Sequence, residues 1–248
     1  DDDTALVSVM WANNEIGSIA PMKIIAELCH ARGVLLHSDA TQAVGRIPVD
    51  MLDADVDLLS AAAHKFYGPK GTGILVVGNG NRRVRMKPQI VGGGQQHGLR
   101  SGTLNSAGIV AMATALELAV DDMDSHHEQI GRMRNQLFQL LCEGIDGIQL
   151  NGIPLASPNR LAGNLNLQLE LIEGEAWMAA TPSVAFSSGS ACSSVDAKPS
   201  HVLTAIGLSE SEARRSVRFG IGRFNTEQQI QQAAEWLIEA HAKLRRLS

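Results

Sequence analysis

The stretch Val56-Asp57-Leu58-Leu59-Ser60-Ala61-Ala62-Ala63-His64-Lys65-Phe66-Tyr67-Gly68-Pro69-Lys70-Gly71 sets Lys65 between an apolar run and a glycine-rich turn. The run reads as a buried strand, and Gly68, Pro69, Gly71 and Gly73 then force the backbone to turn. A lysine at the end of such a strand suits Schiff-base chemistry with a carbonyl cofactor, because desolvation disfavours the ammonium form. Taken alone, the same stretch also suits an ordinary solvated loop lysine.

Working outward, residues 5–10, 34–38, 53–61 and 73–77 read as strands of core character. A helix is expected from Met22 to Arg32, closed by Gly33. Short apolar strands alternating with helices imply an α/β fold of parallel βα units, with the sheet covered on both faces. Beyond the basic crossing at 79–91 and the loop Gly92-Gly93-Gly94, a helix is expected over 106–120. The polar break Asp121–Ser125 leads to another near 128–142, so the domain boundary falls near 122. The second domain, 123–248, reads as α+β, with strands at 148–150, 164–169, 184–187 and 216–220. Thr226 is expected to cap a closing amphipathic helix that ends near Arg245.

Two further segments add chemistry to Lys65. In His37-Ser38-Asp39-Ala40-Thr41-Gln42 an aspartate follows an apolar run at a strand end. A pyridoxal phosphate site needs an acid beside its pyridine nitrogen, and Asp39 suits that, with Gln42 able to bond the phenolic oxygen. Asp39 could equally be a helix N-cap with Gln42 at N3, and both readings can hold together. In Phe186-Ser187-Ser188-Gly189-Ser190-Ala191-Cys192-Ser193-Ser194 a cysteine sits in a small-residue loop, where a nucleophilic thiol is reachable. Cys29 and Cys142 follow apolar residues on helical stripes and read as small buried hydrophobes.

These segments carry a family resemblance. Together with Val9-Met10-Trp11-Ala12-Asn13-Asn14-Glu15-Ile16-Gly17, Arg100-Ser101-Gly102-Thr103, and Val217-Arg218-Phe219 through Gly222-Arg223-Phe224, they resemble the cysteine desulfurases. Those are class V, fold-type I pyridoxal phosphate enzymes, and the long serine-rich loop resembles their iron–sulfur assembly branch. The resemblance implies a partial large cofactor-binding domain over 1–122 and a small C-terminal domain over 123–248 that carries the cysteine loop. It implies conversion of L-cysteine to L-alanine, with sulfur left as a persulfide on Cys192 and passed to an iron–sulfur scaffold or other acceptor protein. By the same resemblance Lys65 carries the cofactor and moves protons, and Asp39 holds the pyridine nitrogen. Gln42 and Asn14 meet the phenolic oxygen, and His64 meets the phosphate. Thr103 reaches the phosphate of the partner copy in a homodimer, and Asn14 and Arg218 take the substrate carboxylate.

Each of these residues also has an ordinary structural reading. Asn14 would be a turn residue, His64 a half-buried imidazole, Thr103 the cap of the helix near 106, and Arg218 a strand arginine. The family usually has a hydroxyl residue where Ala62 stands, so that side-chain contact to phosphate is lost. The family also has a preceding segment with a phosphate loop and a ring-stacking histidine. The chain therefore reads as the last two-thirds of a subunit, lacking the N-terminal third. The expectation is a desulfurase by descent, or alternatively a catalytically inactive fragment of one that binds cofactor weakly.

Composition agrees with a globular protein: 44% of the 248 residues are hydrophobic and 19% charged. A net charge of −5 gives no basic footprint for nucleic acid. No apolar run nears the roughly 18 residues a membrane span needs, and the expected location is cytoplasmic. The three cysteines have no metal-ligand spacing, so no metal site is expected.

Overall fold

The computed structural model describes residues 3–78, 82, 84–188 and 199–247. The chain forms two compact units, one of residues 1–12 and 20–123, the other of 13–19 and 124–248. The segment Asn13–Ile19, which a single boundary near 122 would leave in the first unit, is part of the second.

In the first unit, strands β1 (Leu6–Met10), β2 (Leu35–Asp39), β3 (Leu58–Ala62) and β4 (Gly73–Val77) form one sheet in the order β1-β2-β3-β4. β1, β2 and β3 run parallel, with Met10 opposite Asp39 and Asp39 opposite Ser60. β4 departs from the expected all-parallel pattern and pairs antiparallel with β3. Its connection, Ala63–Thr72, is shorter than the dozen or so residues a parallel crossover needs. Left-handed Tyr67 (φ 69°) and Gly71 (φ 80°) reverse the chain there.

The expected cover on both faces is partial. Leu36 and Leu59 are buried, but the edge strands expose Leu6, Met10, Leu75, Val76 and Val77. Helix α1 (Met22–His30) buries Met22, Ala26 and Cys29, a helical stripe, and ends slightly before the expected Arg32. β3 starts later than the expected Asp53, because the Asp50 carboxylate accepts the N–H groups of Leu52 and Asp53 and holds a turn. Asp57 anchors the layer: Leu36 N–H donates to its Oδ2 at 2.8 Å and Arg82 Nε to its Oδ1 at 2.7 Å. Helix α2 (Ser106–Asp121) follows, and only Asp122 separates it in sequence from α3 (Met123–Gly144).

The second unit holds an antiparallel sheet in the order β5-β6-β8-β7, made of β5 (Gln149–Leu150), β6 (Asn164–Gln168), β7 (Ser187–Ser188) and β8 (Ser216–Gly220). Its core joins Met133, Leu137 and Leu141 of α3 to Leu165 and Leu167 of β6 and Val217 and Phe219 of β8. Helix α4 (Gly174–Ala180) contributes Trp177, whose indole N–H donates to the Leu237 carbonyl at 2.9 Å. Short helices α5 (His201–Ala205) and α6 (Glu210–Arg214) precede β8. Helix α7 (Glu227–Arg245) carries a full Thr226–Gln229 capping box and buries Ile230, Ala234, Leu237 and Ala240.

All of β6 is buried, so its second face is polar rather than exposed. Asn164 and Asn166 each donate an amide hydrogen to the Glu15 carbonyl, at 2.9 and 3.1 Å. These bonds hold the 13–19 segment on the second unit. Gly17 is required for the fit: its φ is +73° and a Cβ there would lie 2.8 Å from Asn164. Among the described residues no helix is long and apolar enough to cross a membrane.

Candidate functional site

The carboxyl ends of β2 and β3 lie side by side, and each carries a candidate. Asp39 ends β2, is exposed, and accepts the Thr41 N–H on Oδ1 at 2.9 Å. Its other oxygen takes no hydrogen bond from the described residues. Residues 41–46 run on as successive turns rather than a helix. Asp39 is therefore an Asx-turn residue and Gln42 is not the N3 member of a capping box. The Gln42 side-chain oxygen accepts Arg46 Nη1 at 3.0 Å.

Lys65 lies just past β3 in a single 3₁₀ turn, Ala63–Phe66, half-buried between exposed His64 and fully buried Phe66. Its carbonyl accepts Arg46 Nη2 at 3.1 Å. Gly45 lets the two turns meet: its φ is +72° and a Cβ would fall 2.7 Å from the Phe66 Cβ. Arg46 was not singled out by sequence reasoning. Its spacing from Gln42 carries no signal of the second contact, to the Lys65 carbonyl, which depends on the close approach at Gly45.

Thr103 is exposed and does not cap α2. Asn105 does so, accepting the Gly108 N–H at 3.0 Å, which leaves the Thr103 hydroxyl for another partner. The loop before it is tied by Ser101 N–H to the Ile90 carbonyl at 3.0 Å and Gly102 N–H to Gln95 Oε1 at 2.9 Å. Within the first unit the structure joins Asp39, Gln42 and Lys65 through strand register and Arg46. Among the described residues, neither His64 nor Thr103 is bonded to them.

The other two candidates meet in the second unit. Arg218, on β8, donates from Nη1 to the Asn14 carbonyl at 2.9 Å and from Nη2 to Ser187 Oγ at 3.3 Å. Beside Asn14, the buried Glu15 carboxylate accepts the Ser200 hydroxyl, and Ser200 Oγ accepts the N–H groups of Val202 and Leu203 at the start of α5. Cys192 lies outside the described residues. Cys29 is buried as expected, but Cys142 is exposed. It falls beside the Met133–Leu137–Leu141 stripe of α3 rather than on it. Partial burial and neighbouring Glu143 push its thiol pKa up. No cluster of metal-ligating side chains is present among the described residues.

An unengaged carboxylate oxygen at one strand end and a lysine just past the adjacent parallel strand fit pyridoxal phosphate, which needs an acid for its ring nitrogen and an amine for its aldehyde. Open α/β sheets bind ligands at such carboxyl ends. The fold is that of the fold-type I pyridoxal phosphate-dependent proteins. The Aminotransferase class-V family pattern matches residues 1–233, and the chain belongs to that family.

Its relatives narrow the class. A cysteine desulfurase IscS of Anaeromyxobacter sp. (strain Fw109-5) is 46% identical over 247 residues, all of this chain and 60% of that protein. A mitochondrial cysteine desulfurase of Arabidopsis thaliana is 44% identical over 246 residues, 99% of this chain and 53% of its own length. A solved NifS-like protein superposes with a TM-score of 0.86 at 32% identity, covering 98% of this chain and 62% of the other. The NifS-like protein of Rickettsia africae ESF-5 gives 0.84 at 26% identity, covering 96% and 62%. The chain thus spans about 60% of the length of an IscS relative.

Proposed function

We propose that this protein acts as a pyridoxal phosphate-dependent cysteine desulfurase, converting L-cysteine to L-alanine and passing sulfur to iron–sulfur cluster assembly. The observation that carries the reading is the position of Asp39 at the carboxyl end of one strand and Lys65 just past that of the adjacent parallel strand, in a chain 46% identical to a cysteine desulfurase. When bound, the cofactor supplies an electron sink for bond breaking at the substrate's carbon skeleton.

The chain's own residues do the rest. Asp39 holds the proton on the ring nitrogen, Gln42 donates to the phenolic oxygen, and His64 contacts the phosphate. Thr103 does the same for the phosphate held by a partner copy, in a cytoplasmic homodimer. Arg218 takes the cysteine carboxylate, with the Asn14 amide beside it. Lys65 Nζ anchors the cofactor, then takes the proton from the substrate Cα and returns one to Cα when alanine forms. The Cys192 thiolate attacks the substrate sulfur: a new S–S bond forms and the Cβ–S bond breaks. The electron pair stays on Cβ, which takes a proton and becomes the alanine methyl group. The persulfide on Cys192 then goes to a scaffold or other acceptor protein.

The test supplies pyridoxal phosphate and L-cysteine and measures alanine and protein-bound persulfide together. The reading expects both products in parallel, and their dependence on added cofactor. Cofactor binding without either product would favour the alternative, an inactive relative that keeps the site residues alone.

A further inference from the structure

We infer that Arg46 is a positioning residue that sets the donor direction of Gln42 and the placement of Lys65, an inference that rests on the pyridoxal phosphate reading above. The argument begins with what a guanidinium can do. It carries N–H donors and no acceptor, so the group of Gln42 facing Arg46 at 3.0 Å must be the carboxamide oxygen. The amide flip is therefore decided by chemistry: the Gln42 NH₂ points away from Arg46 and is the group offered to a ligand. An outward NH₂ suits an anionic oxygen and rejects a donor.

The second arm of the same fork fixes the lysine. Arg46 Nη2 donates to the Lys65 carbonyl at 3.1 Å, inside a 3₁₀ turn whose neighbour Phe66 is fully buried. Gly45, which no other residue can replace without striking Phe66, brings the fork within reach. One planar cation thus ties the residue that would meet the cofactor's phenolic oxygen to the backbone of the residue that would carry the cofactor. A lysine at position 46 could supply the charge but not the rigid two-armed geometry.

The experiment uses cofactor-loaded protein and compares Arg46→Met, Arg46→Lys, Gln42→Met and the Arg46→Met/Gln42→Met pair. Folding is followed by circular dichroism and thermal melting. Attachment is followed by borohydride trapping mapped to Lys65, and the site by pH titration of the bound cofactor's visible absorbance. A fixed donor favours the deprotonated form of the bound cofactor, so Arg46→Met should raise the titration midpoint by about one unit and weaken cofactor binding about tenfold. Arg46→Lys should recover part of both changes. Gln42→Met should reproduce the midpoint shift, and the double variant should add little to it, because both changes break one unit. If Arg46→Met fails to fold, Arg46→Lys carries the test, and a folded Arg46→Lys protein with unchanged midpoint and affinity overturns the inference. A folded Arg46→Met protein with unchanged midpoint and affinity, or fully additive shifts in the double variant, overturns the inference. Absence of Lys65 trapping in the unaltered protein, seen before any variant is made, instead sinks the underlying reading and this inference with it.

Discussion

Arg218 Nη1 donates to the backbone oxygen of Asn14 at 2.9 Å, joining two residues far apart in sequence that both have substrate roles in the proposed function. The fork is steadied from its other end by Ser187 Oγ at 3.3 Å. Each terminal nitrogen carries two hydrogens, so one on each nitrogen remains for a carboxylate. The arginine is thus oriented before any ligand arrives.

Arg218→Lys should therefore weaken cysteine binding more than it slows chemistry. A charge-assisted bond to a carboxylate is worth about 1.5–3 kcal/mol, so KM for cysteine should rise about 10- to 100-fold. Cofactor attachment to Lys65 should persist. Steady-state kinetics over a wide cysteine range check this, and an unchanged KM would remove Arg218 from the substrate site.

Asp39→Asn should leave the fold nearly intact, because an amide oxygen can still accept the Thr41 N–H. Its effect on stability should stay within about 0.5 kcal/mol, as for an exposed substitution. Turnover should fall by about 100-fold, since an amide cannot hold a proton on the ring nitrogen. Thermal melts and an alanine assay separate the two effects. Undiminished turnover would refute the role given to Asp39.

Cys192→Ala should retain cofactor attachment and lose both alanine and persulfide. Persulfide-specific labelling followed by mass mapping should find the label on Cys192 of the unaltered protein. Cys29 is shielded by burial, and the thiol of exposed Cys142 is held in its protonated, less nucleophilic form by partial burial and Glu143. Label on Cys142 would overturn the choice of nucleophile.

The parts of this structure that local chemistry decides were legible in the sequence. The Thr226 cap of α7, the close of α1 at Gly33 and the turn after Lys65 follow from nearby residue types. What long-range pairing decides was not legible. The antiparallel β4 depends on a connection length judged against its partner strand. The exposure of β1 follows from its place at the sheet edge, which its own apolar residues do not report. The transfer of Asn13–Ile19 to the second unit rests on amides of Asn164 and Asn166, remote in sequence. In the candidate site, Asp39, Gln42 and Lys65 could be read from strand ends. Arg46 could not, because its role depends on a close approach of two turns at Gly45.

Acidification should destabilise the first unit through Asp57. Burial works to raise this carboxylate's pKa, but the Leu36 N–H, Arg82 and His30 outweigh it and hold it below the ordinary carboxylate value. His30 Nε2 lies 2.9 Å from Asp57 Oδ2 and Arg82 Nε 2.7 Å from Oδ1. A carboxylate whose folded pKa is depressed contributes stability in full above its unfolded value, about 3.9 for aspartate, and loses it as pH falls through the folded value. Asp57→Asn removes that contribution and leaves Arg82 with Asp55 alone, for a loss of about 2 kcal/mol at neutral pH. Because asparagine does not titrate, the gap between the two proteins should narrow below about pH 4, as the Asp57 carboxylate takes up its proton. Urea unfolding of both proteins at several pH values measures the gap directly. A gap that does not narrow below about pH 4 would mean that the Asp57 carboxylate is not held in its charged form by the fold.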